Sequence, residues 1–241
     1  ISEENKKCGK PHYPIGPIPV PIRVRILGDH PWCYGRQVPD GLPYALTIGP
    51  LRRDLLANQI RGVNAIINGT TNYILTRMAH EGTDFQLALR EAQELGYAEP
   101  DPTNDVEGID AAYKLAILAS LAFHTHIHPD NVYREGISRL RAQDFQHAAE
   151  LGYTIKLLGI AHQDPDGVQM RVHPTFIPRD VPLAKVEGVF NAVEVEGDLV
   201  GRVLFHGRVG RAGVSGVGAT PPRSRMVCYR SQRSVTRPGR L

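Results

Sequence analysis

Apolar positions recur three and four apart over residues 70–123, and after residue 152 the spacing shortens to two. "GVNAIING" (62–69) is a short, nearly continuous apolar run and predicts a buried strand. "TTNYILTRMAHEG" predicts a helix with Thr70 or Thr71 as its cap and Gly82 as its stop. "TDFQLALREAQELG" predicts a second helix. Thr83 and Gln86 have capping-box spacing, Phe85, Ala88, Leu89, Ala92 and Leu95 share a face, and Gly96 ends it. A third helix is expected from near Asp105 through Phe123, apolar almost all round from Leu115 and so central to the core. "AQDFQHAAELG" predicts a fourth, ending at Gly152. "YTIKLLGIAH", "VQMRVHPTF", "VFNAVEVEG" and "RVLFHGR" then alternate as strands do. Helices followed by strands predict an α+β domain, a mixed sheet with helices packed on one face.

The flanks lack this order. Residues 1–48 hold eight of the 19 prolines, the single Trp32 and two of the three cysteines, Cys8 and Cys33. "PHYPIGPIPVPIRVRI" breaks any helix and suits at most an edge strand. Three expected segments follow: an irregular Pro-rich flank at 1–48, a folded domain at 49–208 and a basic irregular tail at 209–241. Composition, 41% hydrophobic and 22% charged, is that of a soluble globular protein. There is no apolar run of about 18 residues and no signal-peptide pattern at the start. Three cysteines form neither a metal spacing nor an even disulfide set. The expectation is a cytoplasmic protein without membrane contact.

Charge is unevenly placed. Residues 211–241 carry seven arginines and no acid; without them the net +3 becomes −4. The tail has no helical period and no interleaved aromatics, so no nucleic-acid partner is expected from charge alone. The acids concentrate in "GYAEPDPTNDVEGIDAAYK" (96–114), which holds Glu99, Asp101, Asp105, Glu107 and Asp110 just ahead of the apolar "LAILASLAF". Asp110 and Lys114 are four apart, acid before base. They form either a surface ion pair or, if partly desolvated, an oriented proton donor for a carbonyl oxygen. Asp105 serves as a helix cap or as part of a pocket. Glu99, in a loop braced by two prolines, suits a ligand with an ammonium group. A calcium loop through Asp101, Asp105 and Glu107 would need Gly and Glu where Val106 and Ala112 stand. "NGTTNY" (68–73) brings Gly69 and two threonines to a helix N-terminus, which suits plain capping or an anionic group. His124, His126 and His128 alternate, but they follow a helix end and read as solvent-exposed loop residues rather than metal ligands.

Together, "INGTTNYILTRM", "AQELGYAEPDPTNDVEGIDAAYKLAILASLAF" and "VEGDLVG" resemble the substrate and catalytic domain of homoserine dehydrogenase over about 49–208. The long G-Y-x-E-P-D-P-x-x-D-x-x-G-x-D-x-x-x-K run carries the resemblance. It implies an oxidoreductase that interconverts aspartate semialdehyde and homoserine with NADP or NAD, in threonine and methionine biosynthesis. It implies Lys114 as acid/base with Asp110 orienting it. Glu99, Asp105 and Tyr97 would line the substrate pocket, and Gly69 and Thr70 would lie where substrate and cofactor meet. A homodimer through this domain is also implied.

The departures are specific. No G-x-G-x-x-G separates a strand from a helix; "GVGATP" (216–221) has Pro221 where the third Gly belongs. Val181 stands where many members have His, and "GRVGRAGVSG" replaces G-R-G-A-G. Two expectations follow. Both flanks derive from a reading frame shifted relative to the middle. The chain alone is an incomplete enzyme; the alternative is a catalytically silent fragment or dimerising partner that keeps only the substrate pocket.

Overall fold

The computed structural model describes residues 42–208 and 225–229. The remaining parts of the expected flanks, including "GVGATP", Cys8 and Trp32, lie outside these residues. In chain order the elements are α1 (Leu42–Arg52), β1 (Ile60–Ile66), α2 (Gly69–Glu81), α3 (Phe85–Glu94), α4 (Thr103–Val106) and α5 (Ile109–Ala122). They continue with β2 (Tyr133–Arg134), α6 (Ala142–Glu150), β3 (Tyr153–Asp164), β4 (Gly167–Pro178), β5 (Phe190–Gly197), β6 (Gly201–Arg208) and β7 (Arg225–Tyr229).

The strands form one seven-stranded sheet in the order β2-β4-β3-β1-β5-β6-β7. Among the described residues only the β2–β4 pair is parallel, so the sheet is mixed. The two-residue period sorts side chains between its faces. Val63, Ala65, Ile155, Leu157, Val193, Val195, Val203 and Phe205 pack with Ile74, Leu75, Met78, Ala92, Leu115 and Leu118 of the helices. The alternate positions Ile66, Leu158, Ala192 and Leu204 join a smaller cluster with Leu183, Ala184 and Val186 on the other side. Helices on one face of a mixed sheet are the α+β arrangement that the periodicities predict.

The four late strands fall where the alternation places them. Several boundaries differ for local reasons. The cap of α2 is Asn68, not Thr70 or Thr71: its side chain accepts from Thr71 N, while Gly82 ends the helix at φ 64 as expected. The Thr83–Gln86 box does not form; Asp84 is the N-cap of α3 and makes no side-chain cap bond. Leu95 leaves the buried face and is 46% exposed. The chain wraps back there, with Tyr97 N and Ala98 N both donating to the Ala92 carbonyl at 2.7 and 3.1 Å.

The long helix expected from Asp105 to Phe123 is two helices. Gly108 sits at φ 72 between α4 and α5, in the left-handed region where a side chain is strained. A Cβ there would also lie 3.2 Å from Val172 Cγ1. The break puts Asp105 and Asp110 on separate helices. Two segments expected to be irregular are partly ordered. The end of the Pro-rich flank enters α1, and Arg225–Tyr229 of the tail pairs antiparallel with β6.

β1 stops at Ile66, beside Ala192, while β3 and β5 run past it. Asn72 of α2 lies at this gap. Its amide donates to the carbonyls of Val186 and Phe190 at 3.2 and 2.9 Å, and its oxygen accepts from Lys156 Nζ at 3.2 Å. Lys156 also donates to the Val186 carbonyl at 2.7 Å and is only 3% exposed. Its ammonium therefore bonds two neutral oxygens. Burial pushes its pKa down to about 8, against a small opposing pull from Glu187.

This shift makes a signed prediction. Below about 8 both folded and unfolded chains carry the proton, and the full cost of burying it is present. Between about 8 and the ordinary 10.5, the unfolded chain holds the proton more than the folded one does. Stability relative to Lys156→Met should therefore rise with pH across that window, by roughly 3 kcal/mol in all. Urea unfolding of both proteins at the two ends of the window measures it; a constant difference refutes the assignment.

Candidate active site

The β1–α2 turn and the α4–α5 break converge. Asn68, 6% exposed, leaves the end of β1 and caps α2: its Oδ1 accepts from Thr71 N at 2.9 Å. Its Nδ2 donates to Asp105 Oδ1 at 2.6 Å and to Asp110 Oδ2 at 3.0 Å. Lys114 Nζ lies 2.7 Å from that same Asp110 Oδ2 and donates to the Ile67 carbonyl at 3.4 Å. The Asp110–Lys114 pair expected from spacing is thus formed. It is partly buried, with the two side chains 31% and 22% exposed. An ordinary surface pair contributes less than about 1 kcal/mol; this one is also tied to Asn68 and a main-chain carbonyl.

Gly69 and Thr70 begin α2 beside this cluster. A Cβ on Gly69 would meet the Val189 carbonyl at 3.0 Å, so the turn is pressed against the segment entering β5. Thr70 Oγ1 donates to the Tyr97 carbonyl at 2.6 Å and ties α2 to the acidic loop. The Tyr97 ring meets Tyr73 of α2 with centroids 5.0 Å apart. Burial and Glu91 push the Tyr73 hydroxyl up to about 12.

Of the predicted site residues, the structure brings Asp105, Asp110 and Lys114 into one cluster and joins Thr70 to Tyr97. Glu99 is solvent-exposed, and its carboxylate makes no hydrogen bond or ion pair with another described residue. Its backbone carbonyl is held by Gln93 at 3.1 Å. The three acids weighed as a calcium loop diverge. Asp101 accepts from Thr103, Asp105 faces Asn68, and Glu107 accepts from Ser138 at 2.7 Å. Of the three histidines, His124 is exposed but His126 and His128 are half-buried, so the expectation of three exposed side chains holds for one.

The Asp105 carboxyl is pushed above the ordinary carboxylate range, first by burial and also by the negative Asp110. The bond from Asn68, then Thr70 and Lys114, pull it back. A hydroxyl has one proton, and the Thr70 proton goes to the Tyr97 carbonyl, so Asn68 is the donor assigned to Asp105. Chemically, the cluster offers two carboxylates and one ammonium. The ammonium has three protons, and among the described residues two are directed, at Asp110 and at the Ile67 carbonyl. Asn68 caps two residues before Thr70 and three before Thr71, the caps expected from sequence. The signal was present, since Asn ranks among the best N-caps and stands between an apolar strand and Gly-Thr-Thr.

The sequence model of homoserine dehydrogenase matches residues 47–219. The chain is 47% identical over 190 residues to homoserine dehydrogenase of Neisseria gonorrhoeae, covering 79% of this chain and 41% of that protein. It is 50% identical over 184 residues to the Synechocystis enzyme, covering 75% and 41%. The crystal structure of a homoserine dehydrogenase from Thiobacillus denitrificans superposes with a TM-score of 0.66 at 51% identity, over 67% of this chain and 38% of that one. A hyperthermophilic archaeal homoserine dehydrogenase mutant in complex with NADPH superposes with a TM-score of 0.57 at 34% identity, over 68% and 46%. The chain spans about two fifths of the length of the curated relatives that it matches. Fold, acidic run and family match agree, and the chain belongs to the homoserine dehydrogenase family.

Proposed function

We propose that residues 49–208 form the substrate-binding and proton-transfer half of a homoserine dehydrogenase, which interconverts homoserine and aspartate semialdehyde with NADP or NAD. One observation supports this most directly: Lys114, held by Asp110 and the Ile67 carbonyl, keeps one proton undirected among the described residues. That proton is the one a substrate oxygen needs. In aldehyde reduction Lys114 gives it to the forming alkoxide; in the reverse direction the neutral amine takes it from the alcohol. Asp110 stabilises the ammonium and aims it. Asp105 and Glu99 receive the substrate ammonium group, and the Tyr97 backbone, tied to Thr70, fixes the loop that carries Glu99.

A nicotinamide supplies the hydride when bound, and a relative carrying NADPH supports this cofactor class. The described residues fit only its reactive end. Gly69 and Thr70 border the cluster, but Asn68 already takes Thr71 N, and the β1–α2 turn reads Asn-Gly-Thr-Thr rather than a phosphate-cradling glycine run. The chain's own contribution is position and charge. Among the described residues no helix is long and apolar enough to cross a membrane. We place the protein in the cytoplasm.

The sheet face opposite the helices is the dimer surface in this reading. Its smaller apolar cluster takes in partly buried Ile160 and Val181, and Phe190, 37% exposed, stacks on His206 at 5.1 Å. Sedimentation at micromolar concentration should give a homodimer; a single monomeric species refutes the assignment.

The roles divide by substitution. With residues 49–208 grafted onto the cofactor domain and C-terminal segment of a relative, Lys114→Ala should lower kcat by roughly 10²–10⁴-fold. Its melting temperature should fall by only a few degrees, since both side chains remain partly in solvent and Asp110 keeps its bond from Asn68. Glu99→Ala should mainly raise KM, because an ammonium contact is made in ground and transition states alike. Full kcat in Lys114→Ala together with a much lower melting temperature would make the pair a helix brace and refute the proton role.

A further inference from the structure

The Asn68 side chain has its orientation set by the helix that it caps. Its oxygen takes Thr71 N, and its backbone carbonyl takes Thr71 Oγ1 and Asn72 N at 3.1 and 3.2 Å. The flipped amide would set an NH2 group against the Thr71 N–H and an oxygen against two carboxylates. In the orientation present, both Nδ2 protons are used, one on Asp105 and one on Asp110. The bond to Asp110 falls on Oδ2, the oxygen that Lys114 also meets. One capping side chain therefore spans the two acids that the Gly108 break places on separate helices.

We infer that Asn68 is the positioning residue of this site: its cap-locked amide holds Asp105 ready for the substrate ammonium group and Asp110 ready to aim Lys114. The inference rests on the homoserine reading above. Its physical basis is charge. Two carboxylates flank one ammonium in a partly desolvated corner, and like charges there repel strongly. Asp105 is faced by Asp110 and Lys114 of α5, by Thr70 of α2 and by Asn68. Among the groups that favour its ionised form, Asn68 is the first and Lys114 the weakest. Without the amide, repulsion from Asp110 is less well offset, so Asp105 takes up a proton more readily, and a protonated Asp105 receives no ammonium group. Capping and active-site charge are thereby joined in one residue.

The two roles separate by substitution in the 241-residue chain. Asn68→Ser keeps a good cap oxygen and exchanges the two amide protons for one hydroxyl proton on a shorter side chain that cannot serve both acids; Asn68→Asp keeps the cap, has no donor and adds a third carboxylate. Three readouts apply: the melting temperature, the carboxyl carbon titrations of Asp105 and Asp110 by NMR, and calorimetric binding of homoserine across pH. Asn68→Ser should melt near the wild type, while the Asp105 midpoint moves up by about one pH unit, and further in Asn68→Asp. The acid limb of homoserine binding should move up with it. Unmoved midpoints overturn the inference, and if both cap-preserving variants then also melt near the wild type, Asn68 is a helix cap only. If the wild-type chain does not bind homoserine, the homoserine reading fails. The titrations still decide: moved midpoints keep Asn68 as the group that sets the two acids, and unmoved ones remove it.

Discussion

A β-strand that must become a helix within two residues leaves main-chain N–H groups that need partners, and in this fold the Asn68 oxygen meets one of them at Thr71. An amide that accepts on one side must donate on the other. Its donors then face whatever the chain brings opposite the turn, here Asp105 and Asp110. A helix-capping requirement at the end of β1 thus becomes a requirement on where two carboxylates stand. Lys114 follows, because it meets the Asp110 oxygen that Asn68 also binds.

The start of α2 is restrained from its other side as well. Asn72 lies at the gap left where β1 ends and bonds two carbonyls of the segment entering β5, with Lys156 of β3 closing the set. Buried polar groups of this kind are costly unless each is partnered. Their partners here define one position for the helix start. Gly69 has no side chain to push the Val189 carbonyl away, so the turn sits tightly against that segment. Strand, helix and loop are locked together where the candidate chemistry lies, which is the rigidity that the proposed proton-transfer role of Lys114 would require.

The charge gathered in residues 96–114 is divided among separate tasks. Asp101 holds the start of α4 through Thr103, and Glu107 fixes a neighbouring loop through Ser138. Asp105 and Asp110 face the Asn68 amide, and Glu99 stays in solvent. Gly108 makes the division possible. On one unbroken helix Asp105 and Asp110, five residues apart, would point in different directions. With the left-handed break between them they reach the same amide.

Where a local period exists, the residues alone gave the type of element, though not always its bounds. The two-residue period in "YTIKLLGIAH" and "VFNAVEVEG" set two strands, though both are buried on both faces, and the apolar run after Leu115 set a core helix. The i,i+4 spacing of Asp110 and Lys114 set their pairing, and the long acidic motif identified the family. Tertiary structure alone decided what depends on contacts distant in sequence. Gly108 turns left-handed where Val172, 64 positions later, closes the space beside it. Lys156, one cation in an apolar strand, is buried because Asn72 and Val186 supply oxygens at the gap beside β1. The Asn68 bonds to the two acids span 37 and 42 residues. Periodicity records which side of an element is apolar. It carries no record of which polar atoms will meet across the fold, since those meetings are set by where strands end and helices break.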